Sequence, residues 1–391
     1  LAVTGNHPAL SGEITANVTG GMHVDHAAQD AKLDLVAKID DSKIAGTVEL
    51  KDLNHPAYAV EIIADRLDLD RYLSGEWLKR FQDDTTAFDT SIFKDMILHG
   101  SLRAGEIKMG KFRLNKLAAD IKVEKSMITI APLAALIHGG ALTGSFSVTA
   151  HEMPMVAARQ NLKGMQIGAL LADTAYAGRL SGKGSIDLDV STQGNSLGAL
   201  RKALNGNVSL ALAQGSLAGI DLRTALIEGR GDLGTMNATR IHPANFTDKT
   251  QFSELKATFD LKDGEVSAAG FEMKSPLIRT AGEGGFDTGS GKMDYRLNAT
   301  VSSAINRRTG GELFELKGIT VPIRVSGPYA APDFAFDFAA ASGGNVDRLR
   351  AAIAAKAEAA RIEAAKAEAA KAETARTEAA AVPAPKEKTS K

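Results

Sequence analysis

Residues Gly178–Leu222 read GRLSGKGSIDLDVSTQGNSLGALRKALNGNVSLALAQGSLAGIDL. Two runs in this stretch alternate apolar with polar residues, the period of a strand with one apolar and one polar face: Ile186, Leu188, Val190 and Val208, Leu210, Leu212. Between them, Ser196 caps a predicted helix that ends before Gly206. The stretch therefore predicts a strand, a short helix and a second strand, with Gly215 and Gly219 flanking the turn that follows.

The same alternation recurs along most of the chain. The predicted strands outside the opening stretch cover residues 14–18, 33–39, 44–50, 58–64, 117–123, 128–130, 142–148, 255–261, 266–268, 293–301, 319–325 and 334–338. Short alternating strands joined by tight turns are typical of an antiparallel meander. The apolar positions change parity near Gly270, which predicts a bulge, and Pro322 predicts an edge or a non-bonded site because it has no N–H.

Helices are expected at only a few places between these strands. Leu73, Trp77 and Phe81 recur every fourth residue and predict a helix over 69–81, followed by a loop over 82–94. Shorter helical turns are predicted around 167–171 and 222–226, and residues 229–245 read as a long connection. The fold class is therefore mainly β: an elongated, curled antiparallel meander with a groove-like shape and a few short amphipathic helices.

The composition changes abruptly after Ser342. Residues 345–380 are almost entirely Ala, Glu, Lys and Arg, and both charge types recur every five residues. That period spreads the charges around a helix and leaves no apolar stripe, which predicts a solvated helical spacer. The expected regions are a β-meander over 1–56, a β-rich region over 57–342, the spacer over 343–381 and a disordered tail over 382–391.

Overall composition excludes several classes of function. The formal net charge of −1 and the 5% aromatic content argue against a nucleic-acid partner. The absence of cysteine excludes disulfides, Cys-type zinc sites and thiol nucleophiles. No apolar run is long enough to span a membrane, and the chain begins at Leu1 without a leader, so we expect a fragment whose beginning is missing.

The opening stretch, together with the ADRLDLDRYL of Ala64–Leu73, strongly resembles the C-terminal region of the AsmA family of bacterial envelope proteins. The likeness covers roughly His55 to Phe338, although the chain has His138 where the family usually carries an aromatic residue before a glycine pair. The resemblance implies a periplasmic, β-rich protein tethered to the inner membrane by an N-terminal helix. It also implies a role in outer-membrane lipid homeostasis and a groove that passes phospholipid.

Residue types that support catalysis do not form a convincing pattern. His23, Asp25 and His26 form a possible metal cluster, but they read as a surface loop without a third ligand. Asp68 and Asp70 are better explained by helix capping and solvation than by acid–base work. Gly178–Ser185 fails the phosphate-loop spacing, and the glycines at 282, 284 and 285 miss the dinucleotide fingerprint and read as turn residues between strands. We expect no enzyme activity, no cofactor and no metal.

The strands nevertheless pose a physical problem, because each has an apolar face and nothing local covers it. A fully buried Val, Leu, Ile or Phe contributes roughly 1.5–3 kcal/mol relative to exposure. The sequence leaves two arrangements possible: a closed sandwich packed on itself, and a long sheet curled into a trough whose concave lining faces acyl chains. The candidate lipid-groove residues are Phe146, Val148, Ile186, Leu188, Val190, Val208, Leu210, Leu212, Tyr295 and Leu297.

Three functions follow from these readings. The first is non-enzymatic binding or transport of phospholipid acyl chains, with possible envelope protein partners on the C-terminal helix. The second is a structural factor that acts through its surface on the targeting or insertion of outer-membrane proteins. The third is a hydrolase assembled from distant residues, for example around His138.

Overall fold

The computed structural model describes residues 2–5, 14–25, 27–52, 56–72, 83–88, 90, 93–110, 112–149, 151–172, 174, 176–235, 239–287 and 290–380. Twenty strands form a single sheet. They are β1 (Ala2–Gly5), β2 (Ile14–Asp25), β3 (Asp30–Ile39), β4 (Ser42–Lys51), β5 (Ala57–Asp68), β6 (Ile97–Met109), β7 (Phe112–Glu124), β8 (Met127–Ile137), β9 (Gly140–Thr149), β10 (Met155–Gln166), β11 (Lys183–Gln193), β12 (Asn205–Gly219), β13 (Thr239–Pro243), β14 (Asn245–Lys262), β15 (Glu265–Lys274), β16 (Ile278–Asp287), β17 (Lys292–Val301), β18 (Ile319–Pro328), β19 (Asp333–Asp337) and β20 (Ser342–Gly343).

The described helices are short, apart from the last. They are α1 (Leu69–Tyr72), α2 (Ile167–Leu171), α3 (Leu197–Lys202), α4 (Leu222–Glu228), the 3-10 helix η1 (Gly229–Gly234), α5 (Arg307–Gly310), the 3-10 helix η2 (Gly311–Leu316) and α6 (Val346–Ala380). The mainly β fold predicted from the alternation is therefore confirmed, as are the short helices at 167–171, 197–202 and 222–228 and the long C-terminal helix.

Strands β1 to β12 pair in chain order, β14 to β19 continue the sheet beyond β12, and β13 pairs with β19. Every pair is antiparallel except β5–β6, which is parallel and makes the sheet mixed. A parallel pair needs a crossover of a dozen or more residues, and residues 69–96 provide it. The meander expected from the sequence is interrupted at this one pair.

The described part of this crossover lies along the ends of the following hairpins. The Gly198 N–H donates to Asp84 O at 3.0 Å, and Ser126 Oγ donates to Lys94 O at 2.8 Å. Residues 83–88 and 93–96 contain no strand, in agreement with the predicted loop. Of the helix predicted over 69–81, the structure describes α1, whereas Leu73, Trp77 and Phe81 lie outside the described residues.

Six strands were not anticipated by the alternation: the short β1 and β20, and β6, β10, β13 and β16. β13 falls inside the expected connection over 229–245 and has only five residues. In β6, β10 and β16, a glycine or a polar residue occupies an apolar-face position, which breaks the pattern: Gly100 in β6, Gln160 in β10, and Gly282 and Gly284 in β16. The expectation that the glycines at 282, 284 and 285 lie between strands is therefore wrong.

Gly284 is required by close packing on Tyr295, its cross-strand partner. A Cβ at Gly284 would lie 2.5 Å from Tyr295 Cα and 2.7 Å from Tyr295 Cγ. We expect Gly284→Ala to lower the free energy of unfolding by about 1–3 kcal/mol, the usual effect of overpacking. Gly21→Ala is the matched control, because a Cβ there meets nothing within 4 Å. Urea unfolding of both variants checks the difference, and equal stabilities would contradict the packing.

Three finer expectations have mixed outcomes. The bulge near Gly270 is confirmed by register shifts in both pairs of β15. Pro322 lies where β18 has a gap on one side, between its pairings with β19 and β20, as expected for a residue without an N–H. The turn expected between Gly215 and Gly219 is wrong, because β12 continues to Gly219. Gly215 has a packing role, since a Cβ there would collide with Ser181 O.

The C-terminal part of the sheet curls onto itself. Five strands separate β12 from β19 in the sheet, yet the Phe334 ring of β19 lies 3.7 Å from the position of a Cβ on Gly219 of β12. Arg179 also joins the two sides, because its guanidinium donates to Tyr329 O at 2.8 Å and to Ala330 O at 3.1 Å. We call strands β12 and β14–β19 the C-terminal roll.

Helix α6 is anchored on this roll by its first two turns. Leu349 and Ile353 pack against the main core, and Arg350 donates to Ala339 O at 2.7 Å and Ala341 O at 2.8 Å. From Ala354 to Ala372 every side chain is exposed. The predicted solvated spacer therefore begins about two turns later than expected, because the sequence pattern does not show that Val346, Leu349 and Ile353 share a docking face.

Candidate functional site

One face of the sheet, which we call the apolar face, is defined by a row of residues that pair directly across sixteen strands. Directly paired residues share a face, so the row is continuous. Its members, all apolar or glycine, are Met22, Leu33, Val48, Val60, Gly100, Ile121, Ile130, Phe146, Ala158, Val190, Gly206, Leu261, Val266, Phe286, Met293 and Gly327. With strands about 4.8 Å apart, this central row runs for about 70 Å along the sheet.

All ten residues selected from the sequence lie on the apolar face. Phe146 and Val190 belong to the central row itself. The other eight lie two, four or six residues away from central-row members on their own strands: Val148, Ile186, Leu188, Val208, Leu210, Leu212, Tyr295 and Leu297. Cross-strand pairs such as Ile186–Leu210 and Leu188–Val208 join them into parallel rows. The face was therefore predictable from the alternation, although what covers it was not.

The ten residues differ in burial according to where they lie. Leu212 is 2% exposed and Tyr295 is 8% exposed, and both belong to the main core. The other eight are half-buried. Leu212 is therefore unavailable to a ligand, whereas residues such as Phe146, Leu188 and Val190 keep part of their surface open.

From β4 to β9 the apolar face has no second layer among the described residues, whereas Leu162 of β10 and Ile186 of β11 pack against the main core. The buried cluster in this region consists of Ala64, Ala104, Leu117 and Ala135, and every residue packed against it lies on strands β4–β9 themselves. The central-row members from Val48 to Val190 are all half-buried. We call the part from Val48 to Val190 the open stretch, because its large side chains cover one another only in part and no second sheet among the described residues covers them. Helix α3 touches the end of β11, where Thr192 Oγ1 donates to Leu200 O.

One polar residue interrupts the row next to the central row. Gln160 pairs with Gly144 and Leu188, and its side chain lies over Gly144. Its Nε2 donates to Ser145 O at 2.8 Å. Opposite Ser145, strand β8 has a bulge that contains Pro132, which offers no N–H. Gln160 therefore satisfies a carbonyl at a break in the ladder, a role that the sequence pattern alone does not show.

The opposite face is polar along the same strands. A row of paired residues there contains Ser145, Arg159, Asp189, Asn207, Asp260, Ser267, Gly285, Asp294 and Ser326. Arg324 makes two hydrogen bonds to Asp294, at 2.9 and 2.8 Å, and these lower the pKa of the Asp294 carboxyl. Hydrogen bonds from Lys256 and Lys274 lower the pKa of Glu254 to about 2. The charged side chains keep this face in contact with water. The opposite, apolar face is therefore the candidate site.

Tyr295 places a titratable group on the apolar face, and burial raises its pKa from 10.0 to about 12. Between these values the unfolded chain loses the phenolic proton while the folded chain retains it, so stability falls as the pH rises. We expect the free energy of unfolding to fall by about 1.4 kcal/mol per pH unit from this group. Tyr295→Phe should lack this component. Urea unfolding at pH 9 and pH 11 checks the prediction, and an identical pH dependence in both proteins would contradict it.

Asp68 and Asp70 have a structural role at the end of β5. Lys108 Nζ lies 2.8 Å from Asp68 Oδ2 and 3.3 Å from Asp70 Oδ2. The Gly110 N–H donates to Asp70 Oδ1 at 2.6 Å. The hydrogen bond from Lys108 lowers the pKa of Asp68. The two carboxylates thus tie β5 and α1 to the β6–β7 turn.

The other chemical candidates do not converge on a site. His23 and Asp25 lie in strand β2, which corrects the expected loop, and His26 lies outside the described residues. No group of His, Cys, Asp and Glu among the described residues is arranged to hold a metal. Residues Gly178–Ser185 lead into β11 with no helix directly after them, so no phosphate loop is formed there. His138 occupies the β8–β9 turn, where its buried Nε2 has no hydrogen-bond partner among the described residues.

Within the part of the chain that the structure describes, no helix combines the length and the apolar character needed to cross a bilayer.

Comparison with known proteins identifies the relatives of this chain. The profile of the AsmA family matches residues 67–270, slightly more than half of the 391 residues. Protein AsmA of Escherichia coli (strain K12) is 23% identical over 232 residues, which cover 58% of this chain and 36% of that protein. The chain therefore spans about a third of the length of this relative. No solved structure matches the chain.

Proposed function

This chain belongs to the AsmA family, and from that premise we propose that it is a non-enzymatic envelope protein that binds phospholipid acyl chains along the apolar face. Family membership points to a function in the bacterial envelope. The observation that carries the proposal is the central row, which is free of polar residues across sixteen strands and half-buried throughout the open stretch.

The chemistry of the face favours a hydrocarbon over a peptide. A peptide partner needs hydrogen bonds from its backbone, but the strands of the open stretch already pair on both sides. A hydrocarbon chain needs no such partner, and each CH₂ that it buries contributes about 0.8 kcal/mol.

The experiment is an analysis of lipid carried by the full chain. The protein is produced in the bacterial periplasm, purified without detergent and extracted with organic solvent, and the extract is analysed by mass spectrometry. We expect at least one phospholipid per chain. After delipidation, the protein should take up fluorescent phospholipid from vesicles. Protein that carries no phospholipid and accepts none from vesicles would overturn the proposal.

The proposal includes a periplasmic location and tethering to the inner membrane by a segment outside this chain. It also includes partners among envelope proteins at the exposed part of α6, from Ala354 to Ala372. Fractionation of cells that produce the full-length protein tests the location. Recovery in the cytoplasmic fraction would contradict it.

A second candidate function is a structural factor in outer-membrane protein assembly that acts through its surface. The observation that favours it lies on the polar face, where Val36 is 59% exposed and Ile63 is 51% exposed, with Ala45 paired between them. Replacing Val36 and Ile63 by serine should impair such a role. The same replacement should leave phospholipid binding unchanged, which distinguishes the two functions.

A further inference from the structure

We infer that the apolar face is closed at its C-terminal end. Acyl chains occupy the open stretch and the end of the C-terminal roll at the β16–β17 turn, but the opposite end of the roll, which contains Ala299 and which we call the base, is sealed. This inference rests on the proposed function and specifies where the lipid ends. It predicts that lipid is loaded and released from the open stretch, and that the chain is not a conduit through its C-terminal end.

The first observation is a gradient of burial along the strands of the roll. Near the β16–β17 turn, which we call the rim, the central-row residues Leu261, Phe286 and Met293 are half-buried, and Val266 between them is 6% exposed. Six residues further along β17, Ala299 is fully buried. The row through Ala299 is sealed across six strands, with exposures of 0–3%: Leu212, Leu255, Met273, Thr280, Ala299 and Val321.

The second observation is the set of helices that closes this base. Leu226 of α4 and both Leu313 and Leu316 of η2 are fully buried in the same core as the sealed row. Gly229, at the start of η1, has no room for a Cβ, because the Phe338 ring occupies that position. Interiors packed in this way contain few voids larger than a water molecule, so a hydrocarbon chain can pass only if the core opens.

The third observation concerns the side of the roll. The contact between Gly219 and Phe334 closes the gap between β12 and β19. Arg179 reinforces this closure, because its guanidinium lies 4.0 Å from the Phe246 ring centroid and donates to two carbonyls beyond β18. An acyl chain that reaches the rim therefore meets a roll that is closed both at its side and at its base.

The opposite end of the apolar face is increasingly exposed. Along the central row, Leu33 of β3 is 38% exposed and Met22 of β2 is 73% exposed, whereas Val48 of β4 is half-buried. Exposure therefore rises away from the roll. The apolar face has one accessible region and one sealed end.

The test maps contacts of a photoreactive phospholipid on the unmodified full chain. Delipidated protein is loaded from vesicles of phosphatidylethanolamine and phosphatidylglycerol that contain a phospholipid with a diazirine at the end of one acyl chain. After irradiation and proteolysis, adducts are located by mass spectrometry. We expect adducts on β4–β11 and at the rim, and at least tenfold fewer on peptides that contain the first half of β18 or α4.

Each outcome has a distinct meaning. Adducts at Ile319–Ile323 or in α4, equal in yield to those in the open stretch, would support lipid binding. They would overturn the inference that the C-terminal end of the apolar face is closed. Adducts confined to the polar face, or no adducts at any position, would overturn the proposed function and the inference together. Because the protein carries no substitution, a failure to fold cannot produce either result.

Discussion

Phe336→Ala is expected to lower the free energy of unfolding by about 3–5 kcal/mol, the usual loss when a fully buried aromatic side chain is removed. Phe336 is 0% exposed and lies in the core of the C-terminal roll. Its ring stacks on Phe338, with centroids 6.2 Å apart, and meets the His242 ring edge-on at 5.4 Å. The truncation removes these contacts and leaves a cavity that the surrounding strands cannot easily fill.

Phe146→Ala is the matched control for this variant, because both rings lie on the apolar face of the same sheet. Phe146 is half-buried in the open stretch and has no helix or second sheet above it among the described residues. We expect a loss of about 1–2 kcal/mol, since part of the ring already contacts solvent. Urea unfolding of delipidated protein, followed by far-UV circular dichroism, measures both variants.

The two measurements together distinguish the closed sandwich from the trough that faces acyl chains, the two arrangements that the sequence left possible. A closed sandwich predicts that the two truncations are equally costly, because both rings would then be sealed in one core. An open stretch predicts a difference of at least about 1 kcal/mol. Equal losses would contradict the description of the open stretch and remove the main support for lipid binding.

Val190→Asp is expected to reduce the phospholipid bound per chain at least fivefold while the protein remains folded. Val190 belongs to the central row, between Ala158 and Gly206, and is half-buried. A carboxylate there places an unpaired charge against the acyl chain, and an isolated charge is poorly tolerated in an apolar environment. In the lipid-free protein the same carboxylate can remain hydrated, so we expect only modest destabilisation.

Ser191→Asp supplies the control at the neighbouring position. Ser191 lies on the same strand but on the opposite face, and it is exposed. The added charge is the same, so any effect on net charge or expression is shared. We expect lipid content equal to that of the parent protein, measured by organic extraction and mass spectrometry.

Two results would contradict this prediction. If Val190→Asp retained the phospholipid of the parent protein, the central row would not be the binding surface. If it unfolded while Ser191→Asp did not, Val190 would have to be sealed by protein atoms, as in the closed sandwich. Val190→Thr, which adds a hydroxyl without a charge, should fold in either case and lose less lipid than the Asp variant.

The burial of Tyr295 and of Val190 shows where prediction from the sequence stops. Both residues alternate with polar neighbours in the same way, so both were assigned to one apolar face. In the folded chain Tyr295 is 8% exposed within the roll, whereas Val190 remains half-buried. The difference arises because β17 curls with its neighbours under α4 and η2, while the Val190 end of β11 has its flanking strands and the short helix α3 beside it but no second sheet.

The strands that alternation missed have a similar explanation. Gly284 breaks the apolar pattern of β16 because the Tyr295 ring of the next strand occupies the space that its side chain would need. Gln160 breaks the pattern of β10 because it donates to a carbonyl opposite a proline bulge. In both cases a neighbour distant in sequence selects the residue, so local periodicity cannot anticipate it.

By itself, the sequence determined the mainly β fold, the two-faced character of the strands, the short helices after β10, β11 and β12, and the family. These properties follow from local periodicity and capping, which act over a few residues. Only the tertiary structure decided that β5 and β6 are parallel, that the C-terminal strands roll into a sealed core, and that the face between β4 and β11 remains open. Those outcomes depend on sheet curvature and on helices that dock from distant parts of the chain, and such long-range contacts leave no periodic trace in the sequence.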